Sequence, residues 1–210
     1  MGEFPGKISR RPRADRLRNR ERVLAAAKIV FSAGGAGGSL DAVARQAGVG
    51  IGTLYRHFPT REALFEAVYR REVEQLADLA ERLQADAAPV EALRRWMPAN
   101  VEFVATKKGM SAALALAAHG SADLSAYTFD RLTRAVGNLM QRAAEAGEIR
   151  ADISPEDVLR TLVGLCYTHD KPGWQVKVLR LVDVFIDGLC RRVNATPSEA
   201  ARNGPARASP

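Results

Sequence analysis

Residues 39–58 read Ser39-Leu40-Asp41-Ala42-Val43-Ala44-Arg45-Gln46-Ala47-Gly48-Val49-Gly50-Ile51-Gly52-Thr53-Leu54-Tyr55-Arg56-His57-Phe58. Ser39 suits the N-cap of a short helix carrying Leu40, Val43, Ala44 and Ala47. Gly48-Val49-Gly50 forms a tight connection, and a second short helix runs from Ile51 to His57. Phe58-Pro59-Thr60 stops it, because the residue before a proline disfavours the helical region. Two short helices joined by a three-residue, glycine-containing turn make a helix-turn-helix. Ile51, Leu54 and Phe58 stand at i, i+3 and i+7, so one face is expected to pack on Leu40, Val43 and Ala47. The opposite side then presents Gly50, Thr53 and His57, flanked by Tyr55 and Arg56. Hydroxyls and imidazole bond phosphate or base edges, and arginine bonds guanine or phosphate.

Working outward, a helix is expected over residues 16–33, ended by the Gly34-Gly35 and Gly37-Gly38 pairs. Thr60 caps a long helix over 61–85. Pro89 sits where a first-turn proline belongs and opens a helix over 89–105. Further helices are expected over 109–118, 122–146, 155–168 (after the Ser154-Pro155 cap) and 174–193. No alternating strand pattern or internal repeat is evident. The fold expected is all-α, with about nine helices. Residues 1–15 read as a flexible basic arm, and 194–210 as a disordered tail. The helix-turn-helix domain is expected over 16–62, and a larger helical domain over 63–193.

The charge distribution agrees with that division. The 210-residue chain carries a net charge of +7. Residues 1–71 hold 14 Lys/Arg against 6 Asp/Glu, and the remainder 17 against 18, so the whole excess lies in the first third. That places a polyanion partner on this third alone. A membrane surface fits poorly, because the arm has few apolar residues and little amphipathic pattern. No signal peptide or spanning helix is expected, and the default location is the cytoplasm.

The stretch Gly48 to Leu64, which continues through Phe58-Pro59-Thr60-Arg61-Glu62-Ala63-Leu64, closely resembles the DNA-binding signature of the tetracycline-repressor (TetR) family. Ile29-Val30-Phe31 and Ser39-Leu40-Asp41-Ala42-Val43-Ala44 also look like that family's first two helices. The turn Ala146-Gly147-Glu148-Ile149-Arg150-Ala151-Asp152 is similar to the one before the last two helices in many members. The resemblance implies that Ser39, Arg61 and His57 bond phosphate, while Gly50, Thr53 and Tyr55 lie at the recognition surface. Arg45 and Arg56 are additional candidate contacts, and Arg10, Arg11 and Arg13 can reach the minor groove as basic arms do. The alternative for Tyr55 is a core aromatic.

In the last helix, Val176, Val178, Leu179, Leu181, Val182, Val184, Phe185, Ile186 and Leu189 cover more than one face. A helix apolar on two faces is buried on two faces. With the preceding helix, a four-helix homodimer interface is expected as in the family, built from Leu159, Leu162, Cys166, Val178, Leu181, Val182 and Phe185. The middle helices are then expected to form a pocket for a small hydrophobic or amphipathic ligand, with Trp96, Phe103, Met110, His119, Phe129 and Met140 as candidates. Each of the six is alternatively ordinary core.

No cofactor or metal is expected. His57, His119 and His169 have no ligand spacing, Gly34 to Gly38 lacks a phosphate-loop lysine, and Cys166 and Cys190 sit in apolar helical patterns. No convergent catalytic set is visible, so the expectation is not an enzyme. The function expected is a repressor released from a palindromic operator by a ligand; the alternative is an activator or an architectural DNA-binding protein.

Overall fold

The computed structural model describes residues 11–34, 38–116, 121–169 and 171–191. Eight helices account for most of them: α1 (Arg11–Gly34), α2 (Leu40–Ala47), α3 (Ile51–His57), α4 (Arg61–Asp86), α5 (Pro89–Leu116), α6 (Ser121–Glu145), α7 (Pro155–Tyr167) and α8 (Trp174–Leu189). The fold is all-α. Among the described residues the only strand-like pairing is an isolated bridge between Ile149 and Cys190.

Local chemistry sets most boundaries. Ser39 Oγ accepts the Ala42 amide at 3.1 Å, and Thr60 Oγ1 accepts the Ala63 amide at 3.1 Å. Ser154 Oγ accepts the Asp157 amide at 3.1 Å, with Pro155 in the first turn. Gly48 closes α2 at φ 62°, where its N–H reaches the Ala44 and Arg45 carbonyls. Gly147 plays the same part after α6 at φ 73°. In that turn the Glu148 carboxylate accepts the Val90 amide at 3.0 Å, and the Arg150 amide donates to the Leu189 carbonyl at 2.9 Å. The turn therefore ties the start of α5 to the end of α8.

Three boundaries differ from expectation, one being the last helix, which ends at Leu189 rather than 193 because Cys190 turns extended and pairs with Ile149. The helices expected over 89–105 and 109–118 are one, α5, which runs through Pro98 and Gly109. An interior glycine costs only about 1 kcal/mol, which tertiary packing of a long helix outweighs. The arm expected to residue 15 is helical from Arg11. Pro12 falls in the first turn, where a proline is tolerated, and nothing from Arg13 to Val23 breaks a helix. Arg10 and residues 194–210 lie outside the described residues.

There are two cores. The first joins Val23, Leu24 and Phe31 of α1 with Val43, Leu54, Phe58, Leu64, Phe65 and Val68. Phe31 and Phe65 stack at 4.0 Å between ring centroids. The second begins at Tyr69 and gathers α4 through α8. The first two turns of α4 thus pack with α1–α3, and the rest of the same helix packs in the body. The single helix α4 runs through both units.

Candidate nucleic-acid interface

Helix α3 has one buried side. Leu54 and Phe58 are sealed in the first core, as the sequence pattern requires. Ile51 is 37% exposed, which corrects the expectation that it packs with them. Its angular position is right, but it is the first residue of α3. Tyr55 is 48% exposed, so its core alternative falls.

The outward face is open. A Cβ built at Gly50 or Gly52 meets no atom within 4 Å, and neither glycine has positive φ. Neither internal crowding nor backbone strain therefore calls for glycine there. What the missing side chains provide is close approach by an external body. Thr53 is half-buried beside them, and its Oγ1 lies 3.4 Å from Arg56 Nη2. Arg56 also folds back to the Gly52 carbonyl at 3.2 Å.

The flanking candidates fall around this face in different ways. Ser39 and Arg45 are exposed on α2. Arg61 is half-buried, its guanidinium 5.2 Å from the Phe31 ring and 5.3 Å from the Phe65 ring, so it also covers the first core. His57 is half-buried at the end of α3. Partial burial, then the charges of Arg16, Arg20 and Arg56, hold its imidazole below the ordinary 6.5. The side chains of Arg11 and Arg13 lie outside the described residues. Sequence reasoning missed Arg16 and Arg20, and it missed Arg22, whose Nη2 donates to the Gly48 carbonyl at 3.1 Å and braces the turn. Their spacing marks them as helical, but nothing in sequence says that this part of α1 lies beside α3.

The described ligand candidates differ in their surroundings. Trp96 is fully buried, and its indole N–H donates to the Leu76 carbonyl at 2.9 Å. Phe103 packs on Tyr69 at 5.2 Å. Phe129 lies under the Arg160 guanidinium at 4.7 Å. These three are packing residues, which corrects the expectation that they line one cavity. Met140 lines a groove of about 480 Å³ with Gly137, Ile149, Ile153 and Pro155. The side chain of Met110 and the whole of His119 lie outside the described residues.

The candidate dimer residues need a similar correction. Leu159, Leu162, Cys166, Val178 and Val182 are buried within the protomer, so they are core rather than contact surface. Leu181 is exposed and Phe185 half-buried. The outward face of α7 and α8 carries Tyr167, Val176, Leu181 and Val184, the last 68% exposed. Gly164 and Gly188 are exposed there, with open space where a side chain would stand. Burial pushes the Cys166 thiol up to about 11, and the Lys108 ammonium nearby opposes that shift only in part.

A three-helix unit with an open recognition face, carried on a rod into a helical body, defines a DNA-reading protein with a separate second module. Comparison with known proteins agrees. Residues 23–68 match the model described as bacterial regulatory proteins, tetR family, and residues 88–191 the model described as transcriptional regulator SbtR-like, C-terminal domain. The crystal structure of the TetR transcriptional regulator SCO0520 from Streptomyces coelicolor shares 42% identity with a TM-score of 0.76, covering 82% of this chain and 99% of that one. The HTH-type transcriptional regulator LuxR of Vibrio harveyi is 25% identical over 87% of this chain and 95% of its own length. The HTH-type transcriptional repressor Rv1474c of Mycobacterium tuberculosis is 27% identical over 70% of this chain and 66% of its own. The chain belongs to the TetR family of bacterial transcriptional regulators. Among the described residues no helix is long and apolar enough to cross a membrane, and no three His, Cys, Asp or Glu gather as a metal site.

Proposed function

We propose that this protein is a cytoplasmic, homodimeric repressor that binds a palindromic operator through α3 and is released by a small hydrophobic or amphipathic molecule. The observation that carries the reading is the exposed α3 face, with open space above Gly50 and Gly52 and with Tyr55 exposed beside them. Ser39, Arg45, Arg56, His57 and Arg61 surround it as candidate phosphate contacts. The DNA-reading unit is residues 16–62, and the regulatory and dimerising unit 63–193, with α4 belonging to both.

Support for the dimer is the apolar outer face of α7 and α8, a surface a monomer rarely leaves exposed. Two copies joined there set two α3 helices about one DNA turn apart, or a small multiple of it. Release is a population shift: a molecule that favours one spacing of the α3 helices changes operator affinity. The groove at Met140, with Asn138 and Gln141 as polar partners, is wide enough for a small molecule. Repression is supported by the likeness to the mycobacterial protein named a repressor.

The test is a reporter strain whose promoter carries the selected operator. Silencing by the protein, relieved by some compound in a metabolite library, supports the reading. Transcription that rises on adding the protein contradicts repression. Silencing that no compound relieves contradicts ligand control.

A further inference from the structure

The start of α1 contributes little to the core. Core burial begins at Val23, while Asp15, Arg16, Leu17 and Arg18 are exposed. Their charges also sit badly for a free helix. Arg16 and Arg20 stand at i and i+4, a like-charge spacing that costs a few tenths of a kcal/mol.

Three neighbours show where this face points. The Arg20 guanidinium lies 5.3 Å from the ring centroid of Phe58, the residue that ends α3. Arg16, Arg20 and Arg56 all stand close enough to His57 to bear on its charge. Arg16 has no ion pair among the described residues, whereas Arg18, about 200° round the helix, is paired with Asp15. Positive charge therefore gathers beside one imidazole at the end of the recognition helix, offset only in part by Glu21, which Arg20 reaches at 3.9 Å, while Arg56 folds back on Gly52 and Thr53.

We propose that Arg16, Arg20 and His57 form a clamp for DNA backbone phosphate beside each half-site, with the start of α1 lying along the strand that flanks the groove occupied by α3. The proposal rests on the DNA-binding reading above and adds a site to it. Phosphate contacts of this kind fix register and add affinity without reading bases. The clamp differs in kind from an arm in the minor groove. It belongs to a folded helix, and it acts on any sequence.

The test uses the full chain and fluorescence anisotropy across a series of salt concentrations. It is run on the operator recovered by selection and on a random duplex of equal length. Arg16→Ala, whose site is exposed, removes one contact from each protomer of the dimer and is expected to lower the salt slope by about 2 on both DNAs and to leave the ratio between them unchanged. Arg16→Ala with Arg20→Ala is expected to lower it by about 4, two contacts per protomer. Thermal melting of each variant checks that the stack on Phe58 is not what was lost. Arg18→Gln removes the same charge from the other side of α1 and is expected to leave the slope alone. An unchanged slope in the double variant overturns the clamp, even where Tyr55→Ala abolishes sequence preference. An equal fall for Arg18→Gln also overturns it, because the effect is then net charge alone. If the wild type binds neither duplex, the DNA reading fails, and the clamp fails with it.

Discussion

The ammonium of Lys28, on α1, meets the carboxylate of Glu72, on α4, at the boundary between the two cores. The Glu72 side chain is buried, its second oxygen has no partner, and Lys28 is the more exposed of the two. Arg71 and Glu21 make a second bond between the same helices at 3.0 Å. The angle between the DNA-reading unit and the body is thus held by ion pairs as well as by the continuity of α4.

Removing Lys28 strands a buried carboxylate. Lys28→Met is expected to cost about 1–3 kcal/mol in urea unfolding, from the penalty of an unsatisfied buried group. Lys28→Met with Glu72→Gln is expected to cost less than the sum of the single changes. Full additivity in that double-mutant cycle would mean that the pair is not coupled.

Gly52 lies inside α3 with open space around it. Gly52→Ala is expected to leave the melting temperature unchanged or raise it, since alanine gains about 0.5–1 kcal/mol over glycine in a helix. Operator affinity is expected to fall at least tenfold because the added methyl stands between backbone and DNA. Melting and anisotropy on the same samples separate the two effects. Parallel losses in both would place Gly52 in the fold rather than in recognition.

The dimer prediction follows from exposure. Val184→Lys puts a charge at the centre of the proposed contact, at a position that is solvent-facing in the protomer. Sedimentation is expected to show a dimer for the wild type and a folded monomer for the variant. A dimer that survives the change moves the interface elsewhere. Val182→Lys is no substitute, because it charges the protomer's own core and unfolds it.

His57 links stability to pH. Its folded-state value is lowered, so the folded chain binds fewer protons than the unfolded one. The contribution is present above about pH 6.5 and is lost as pH falls below it. His57→Gln is expected to shrink the drop in urea midpoint between neutral and mildly acidic buffer. Carboxylate titration is common to both proteins and cancels in the comparison. An identical drop in the two proteins contradicts the assignment.

What was legible in sequence was local. The caps at Ser39, Thr60 and Ser154-Pro155, and the turn at Gly48, follow from the chemistry of one or two side chains. What was not legible depends on which surfaces meet. The apolar stripes of α7 and α8 were visible, but periodicity does not say whether Val178 and Val182 face their own body or a partner; they face their own body, and Val184 faces out. Ile51 was assigned by angle, and its place as the first residue of a seven-residue helix defeated that. Trp96 and Phe103 were rated for size, and size alone fits core as well as cavity. The neighbourhood of Arg16, Arg20 and His57 joins residues about forty positions apart and has no sequence signature.

The central claim is that the exposed face of α3 reads base sequence. The most direct measurement is selection from a genome-derived duplex library in moderate salt, with wild type and Tyr55→Ala in parallel. The account predicts that the wild type enriches one palindrome and that Tyr55→Ala, equally folded, enriches none. Uniform weak binding by both proteins would contradict it, since the basic helix α1 alone would then carry the interaction.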